Sequence, residues 1–414
     1  MSTNIFISYK DSKNAPEDPY FALSLDISGS RCYNLHTQII AERRSSMDFW
    51  SEIPVKLIKG RGCVRKNSEA LALGKRAFIV CGSHGARACG ALEDVTSVLG
   101  SLGIDYYIFD RSRENPPLEL CFEGGRECAA FSADFVIGIG GGSALDAAKA
   151  IALFAGDPQL DSENIFDKEL KKASPLPLVA IPTTSGTGSE SNATGVLTLP
   201  GGLIKKSFAS EFPKVSFLDP DYTASLPFRT ALSCVLDAFA HAVESYLSPK
   251  STENSRAAAL YAAEMIWNVL SKAPVEFGEN EREELQLAAC AAGYAISVTG
   301  TGFPHPMGYS LTTIDGIPHG FACAAFYRSF IEYNEKTTEG KELLDTFCKK
   351  ALGNASPEDI AHLIPSLANV RLTMTDDEIK RHVSLIKDAK NFKNSPYVLN
   401  NDEKLTIYSE LFGK

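Results

Sequence analysis

Short apolar runs alternate with longer amphipathic stretches through the first half of the chain. Arg76–Cys81, Tyr106–Phe109, Phe135–Ile139 and Leu178–Ile181 are compact runs rich in β-branched and aromatic residues, and the first and last stop at Gly82-Ser83 and Pro182. Runs of this length read as buried strands. Between them, Ala91–Leu102 and Ala144–Phe154 place apolar residues at helical intervals. Apolar strands alternating with amphipathic helices predict a parallel sheet covered on its faces by helices. Beyond about Leu226 the strand signal stops. Arg229–Tyr246, Thr252–Leu270 and Glu281–Ala295 all have helical spacing, so the second half is expected to be mostly α. No internal repeat is visible. Residues 1–47 differ from the rest: they are polar, carry the run Asn14–Pro19, and only Phe21–Asp26 alternates like a strand. They read as an extension, either a loose tail or an edge hairpin.

Composition narrows the class. Hydrophobic residues make up 44% and charged residues 22% of the 414, the balance of a soluble globular protein. No apolar run reaches the roughly 20 residues of a membrane helix, and Met1–Tyr9 lacks a basic cluster followed by an apolar stretch. The expected location is therefore the cytoplasm, with no membrane partner. A net charge of −10 argues against a nucleic-acid partner, since phosphate binding needs a dense positive surface. The basic pair Lys205–Lys206 reads as a solvated face. Ten cysteines occur without a CxxC pair, and Cys121 and Cys128 have the spacing of neither a zinc ribbon nor a redox motif. Reduced, mostly buried thiols are expected.

Two segments carry candidate nucleotide chemistry. Gly138-Ile139-Gly140-Gly141-Gly142-Ser143 joins a predicted strand to a predicted helix. Glycines there let a pyrophosphate approach the backbone, and a helix start offers unpaired N–H groups. Ser143 is expected to cap that helix, with Asp146 in a capping-box position. The spacing is not GxGxxG, and a simple turn would use the same residues. Pro182–Glu190, with the sequence PTTSGTGSE, follows the next strand. Hydroxyls and glycines at the carboxyl end of a parallel strand lie where such sheets bind ligands, although a polar surface loop has the same composition.

Candidate metal chemistry lies in the second half. Asp237 and His241 are four residues apart within an apolar helical segment, so they share one face. A hydrogen bond between them or a shared divalent cation would satisfy both. Of the seven histidines, His305 and His319 fall in two further apolar segments, whereas His36, His84, His362 and His382 have polar surroundings. One aspartate and three histidines suit Fe(II) or Zn(II) with a position left for a substrate oxygen.

With these residues in view, the chain resembles the iron-containing alcohol dehydrogenases along nearly all of residues 48–414. The resemblance rests on GGGSALDAAK at Gly140–Lys149, PTTSGTGSE at Pro182–Glu190, LDAFAHAVESY at Leu236–Tyr246 and HPMGYSLTTIDGIPHG at His305–Gly320, with LDPDYTASLP at Leu218–Pro227 like the segment linking the two domains of that family. It implies a Rossmann-like nucleotide-binding α/β domain over 48–225, an all-α metal-binding domain over 226–414, and a cleft between them. Asp237, His241, His305 and His319 would be the metal ligands, to Fe(II) or Zn(II). Gly140, Gly141, Gly142 and Ser143 would hold the cofactor pyrophosphate, with Asp146, Thr183, Thr184, Thr187, Asn115 and Lys206 along the rest of the cleft. The implied activity is hydride transfer between NAD(P)(H) and a small alcohol or aldehyde, in a homodimer. Dehydroquinate synthase-like and glycerol-(phosphate) dehydrogenase-type enzymes share the fold, and a non-catalytic nucleotide-binding relative is a third reading. The long PTTSGTGSE segment and the DxxxH pair favour the alcohol dehydrogenase branch, and the presence of all four candidate ligands argues against a non-catalytic relative.

The chain departs from the family pattern at two places. Many members carry another histidine four residues after the third ligand; here Tyr309 stands there, a phenol that can still hydrogen-bond, and it is the one candidate catalytic side chain besides the metal ligands. NAD-specific members often have an acid after the first strand, but here Gly82, Ser83 and His84 follow, with Arg87 close by. NADP(H) is therefore expected over NAD(H). The extension 1–47 has no counterpart in the resemblance.

Overall fold

The computed structural model describes residues 31–34, 54–167, 170 and 173–414; the strand expected at Phe21–Asp26 lies outside them. Four of the strands are those expected from the apolar runs: β3 (Arg76–Gly82), β4 (Asp105–Ser112), β5 (Phe135–Gly140) and β6 (Leu178–Pro182). Together with β2 (Lys56–Lys59) and β9 (Val215–Leu218) they form a parallel sheet in the order β2-β9-β6-β5-β3-β4. Within the segment expected to be an extension, β1 (Arg31–Asn34) adds an antiparallel edge to β2.

Burial alternates across this sheet. Ile79, Cys81, Ile137, Ile139, Val179 and Ile181 pack on one face with Val95 and Leu99 of α1 (Ala91–Ser101). Phe78, Val80 and Val136 face the other way, onto α2 (Leu118–Ala130) and α3 (Gly142–Gly156). A sheet covered on both sides needs apolar residues at both parities, which is why its strands are near-continuous apolar runs. Helix α2 did not stand out in the pattern because Gly124 and Gly125 interrupt it. A Cβ on Gly124 would lie 2.7 Å from Ile151 Cδ1 and one on Gly125 2.4 Å from Phe154 Cβ, so both glycines serve close packing against α3. The antiparallel hairpin β7 (Thr194–Thr198) and β8 (Lys205–Ala209) was equally unmarked.

From Phe228 onward the described residues form helices and short turns, with only an isolated bridge between Met374 and Gly413. At the centre runs α4 (Phe228–Leu247), packed by α5 (Glu253–Leu270) and α6 (Glu279–Thr299), with α7 (Pro304–Asp315) and α8 (His319–Ala324) following. A Thr252 capping box starts α5. The two halves meet at close range. Gly188 and Gly293 cross backbone to backbone, where a Cβ on Gly188 would lie 2.3 Å from Gly293 Cα, and Ser191 Oγ donates to the Cys290 carbonyl at 2.7 Å. No described helix is long and apolar enough to cross a membrane.

Candidate active site

The sheet places the nucleotide candidates together. From β3 the chain steps outward to β4, then returns to the other side of β3 as β5 and continues to β6. The order reverses between β3 and β5, and crevices at such a reversal are where open parallel sheets bind ligands. Gly82 pairs with Ser112 and Gly140 with Pro182, so four strand ends share one edge. The Thr183 N–H donates to the Gly140 carbonyl at 2.9 Å and seats the hydroxyl loop beside the glycine turn. The glycines are required sterically: a Cβ on Gly142 would lie 2.4 Å from Thr187 Cγ2, one on Gly141 3.2 Å from Thr184 Cγ2, and Gly140 has φ +147°.

Several expectations change here. Ser143 does not cap α3; Gly141 occupies that position without a side-chain bond, and Ser143 Oγ instead accepts the Asn115 N–H at 3.2 Å. The tight turn leaves the helix beginning one residue before the serine. Asn115 itself has φ 53°, and its carbonyl accepts from Thr198 Oγ1 at 3.0 Å. Asp146 forms no capping box. Its Oδ1 accepts from Ser189 Oγ at 2.7 Å and its Oδ2 from the Val196 N–H at 3.0 Å. Lys149 completes this buried knot, donating to Ser189 Oγ, Asn192 Oδ1 and the Thr194 carbonyl at 2.7, 3.0 and 2.8 Å. Burial lowers the Lys149 pKa to about 8 and raises that of neighbouring Glu190 to about 7. Lys206 is turned away, its Nζ 4.6 Å from the Phe166 ring centre. Successive strand residues point oppositely, so Lys205 is the lysine that faces Tyr309, with Nζ 6.0 Å from its ring centre. Arg87 is paired: Nη2 lies 3.0 Å from Asp110 Oδ2, with the two side chains 52% and 43% exposed.

Three helices bring the metal candidates together. Asp237 and His241 lie one turn apart on α4, His305 and Tyr309 on α7, His319 and Cys323 on α8. Two glycines allow the approach. A Cβ on Gly320 would sit 1.8 Å from the Ser233 carbonyl oxygen on α4, and one on Gly308 2.9 Å from Cys323 N on α8. Asp237 Oδ1 lies 3.6, 3.4 and 3.7 Å from the Nε2 atoms of His241, His305 and His319. Asp237 Oδ1 and His305 Nε2 are buried without a hydrogen-bond partner. Uncompensated burial of such atoms is costly, and a divalent cation satisfies both, so the donor set fits one. Asp237, His305, His319 and Cys323 also have donor atoms all within 4.8 Å of one another.

Burial and the buried carboxylates together set the electrostatics of this cluster. Burial lowers the His241 pKa to about 4 against the pull of Asp237, leaving a neutral imidazole. Burial works the same way on His305, but the carboxylates of Glu244 and Asp237 outweigh it and raise its pKa to about 10. Glu244 Oε2 accepts from His305 Nδ1 at 2.8 Å and from the Gly302 N–H at 2.6 Å. That bond fixes the tautomer and turns Nε2 toward Asp237. Tyr309 stacks on His319 with ring centres 5.9 Å apart, and burial pushes its hydroxyl pKa well up.

Residues 54–220 match the family model described as iron-containing alcohol dehydrogenase, and residues 231–383 match the C-terminal model of the same family. The chain belongs to the iron-containing alcohol dehydrogenase family. It is 30% identical over 362 residues to the NADPH-dependent butanol dehydrogenase of Clostridium saccharobutylicum, covering 81% of this chain and 91% of that one. An iron-containing alcohol dehydrogenase from Thermotoga maritima has a similar structure, with a TM-score of 0.80 at 34% identity over 87% of this chain and 98% of that one. Sulfoacetaldehyde reductase from Bifidobacterium kashiwanohense, solved with NAD+, gives a TM-score of 0.78 at 26% identity over 88% and 99% of the two chains.

Three further groups stand at the candidate centre of this iron-containing alcohol dehydrogenase without a clear mark in the apolar pattern. Glu244 follows His241 by three residues, and nothing in the pattern shows that it reaches His305 on another helix. Cys323 lies four residues after His319, the same one-turn step that marked Asp237 and His241, and that signal was available. Lys205 differs from Lys206 only in strand parity, which becomes visible once β8 is paired with β7.

Proposed function

We propose that Asp237, His241, His305 and His319 hold one divalent cation, and that the cleft between this centre and the Gly140–Ser143 turn transfers hydride between NAD(P)(H) and a small alcohol or aldehyde. The observation that carries this reading is the pair of buried, unpartnered donor atoms, Asp237 Oδ1 and His305 Nε2; the helix α4 that bears Asp237 also meets the hydroxyl loop beside the glycine turn, where a Cβ on Gly186 would lie 2.9 Å from Cys234 Cβ. A cation there supplies Lewis acidity toward the substrate oxygen, and the nicotinamide supplies the hydride chemistry. The remaining work belongs to the protein. Glu244 orients His305. Tyr309 keeps its Oη proton and offers it as a donor, in the place where many family members have histidine. Lys205 contributes a half-buried positive charge between the turn and the ligands.

The cofactor is proposed to be NADP(H) in preference to NAD(H). Gly82 and Ser83 end β3 without an acid to accept bonds from a ribose 2′-hydroxyl. Arg87 is engaged by Asp110, but an ion pair this exposed contributes little, so a 2′-phosphate can draw the guanidinium away. A charge-assisted contact of about 1.5–3 kcal/mol corresponds to roughly a tenfold to hundredfold preference. The butanol dehydrogenase relative acts with NADPH. The test is a panel of short aldehydes assayed with NADPH and NADH after loading with Fe(II) or Zn(II). Metal-dependent turnover with a higher kcat/KM for NADPH is expected; turnover unaffected by metal removal overturns the first claim, and a ratio at or below one the second.

A further inference from the structure

We propose that Cys323 is an alternative fourth donor at the metal centre, in place of His241, giving it a sulfur corner that favours thiophilic cations such as Zn(II) over Fe(II). The inference rests on the preceding reading, that Asp237, His305 and His319 hold a cation. Cys323 is fully buried and lies one turn beyond His319 on α8, the helix that Gly320 allows to press onto α4. Its Sγ is 3.8 Å from His319 Nδ1 and 3.9 Å from Nε2. With Asp237 and His305, these donors all lie within 4.8 Å of one another. A tetrahedral Zn(II) with bonds of about 2.3 Å to sulfur and about 2.0–2.1 Å to nitrogen and oxygen holds its donors roughly 3.3–3.6 Å apart. The donor atoms here lie within 4.8 Å of one another, so the set must contract by about 1 Å to reach that geometry. Independently, the bare Asp237 Oδ1 and His305 Nε2 are buried and belong to the same group of donors.

Three donors are thus common to two sets. His241 completes one with nitrogen, and Cys323 completes the other with sulfur. Imidazole and carboxylate accept Fe(II) and Zn(II) alike, whereas a thiolate is a soft ligand that favours Zn(II). When the metal–sulfur bond forms, the S–H bond breaks and the proton leaves to solvent. Two anionic donors, Asp237 and the thiolate, then balance the dication. In that second set Cys323 stands in the place of His241.

The experiment uses the full chain, stripped with a chelator and reloaded with Zn(II) for X-ray absorption or with Co(II) for optical spectra. In the unmodified protein a sulfur scatterer at about 2.3 Å is expected beside nitrogen and oxygen at about 2.0–2.1 Å, with a thiolate-to-cobalt charge-transfer band in the near ultraviolet. Cys323→Ser should keep one metal per chain, lose both sulfur signals, and lower the Zn(II)-to-Fe(II) affinity ratio at least tenfold. Cys323→Ala serves the same purpose if the serine variant folds poorly, and His241→Ala should retain the sulfur shell. Nitrogen and oxygen scatterers alone in the unmodified protein, or a sulfur signal that survives both Cys323 substitutions, overturn the proposal. A chain that takes up no metal at all overturns the preceding reading as well.

Discussion

His305 depends on a residue sixty-one positions away. Its Nδ1 is held at 2.8 Å by Glu244 Oε2, and a fully buried carboxylate without that imidazole would be costly. Glu244→Gln keeps the size but can present an N–H where His305 needs an acceptor. Metal affinity should fall about 10–100-fold, as is usual when the partner of a ligating histidine is lost; competition titration with a chromophoric chelator measures it, and unchanged affinity would show that Glu244 is not needed. Glu190 gives a pH signature. Burial raises its pKa to about 7 from 4.5, so between those values the folded chain keeps a proton the unfolded chain has released. Stability contributed by that proton is complete below pH 4.5 and is lost as pH rises through 7. Glu190→Gln should remove this slope, on the order of 1–3 kcal/mol between pH 5 and 8, seen as urea midpoints that converge at low pH and separate at high pH. At this scale the candidate ligands were legible because histidine is scarce in the chain and aspartate is rare in apolar helix. Their supporting residues were not, since a hydrogen bond across helices leaves no mark in either helix alone.

Among the elements, α8 shows how little room the centre has. Gly320 touches the backbone of α4 so closely that its missing Cβ would overlap the Ser233 carbonyl. Gly320→Ala must push α8 outward, taking His319 and Cys323 with it. The expected cost is about 3 kcal/mol or more, together with loss of most bound metal by elemental analysis. Gly85→Ala, where a Cβ meets nothing within 4 Å, is the control and should change neither. The elements themselves were largely readable from apolar spacing. Those that escaped had physical reasons: α2 carries two packing glycines that break its periodicity, and β7 and β8 are short and partly exposed. The capping role expected of Ser143 failed because a three-glycine turn needs no side chain to start its helix, which freed the hydroxyl to accept from Asn115.

Across the whole molecule, the candidate ligands come from α4, α7 and α8, while the nucleotide turn belongs to the sheet. Metal should therefore stabilise the helical half directly. At a hundredfold excess over its dissociation constant a ligand adds about 2.7 kcal/mol. Chelation is expected to lower the melting temperature by several degrees and to speed amide exchange over residues 302–324 and along α4, with β3 and β5 unaffected. Uniform acceleration across both halves would contradict this division.

Periodicity along the chain was enough to predict the α/β and helical halves and the glycine turn at the end of β5, because each is encoded by spacing within a single element; the four candidate ligands came instead from scarce histidines in apolar segments together with the family resemblance. Only the tertiary structure decided which lysine of the pair at 205–206 faces Tyr309, that Arg87 meets Asp110, that Glu244 holds His305, and that Cys323 stands beside the candidate ligands. These depend on strand pairing and on helices brought into contact by Gly308 and Gly320. Contacts between distant segments are set by packing distance in three dimensions, and spacing along one segment carries no record of it.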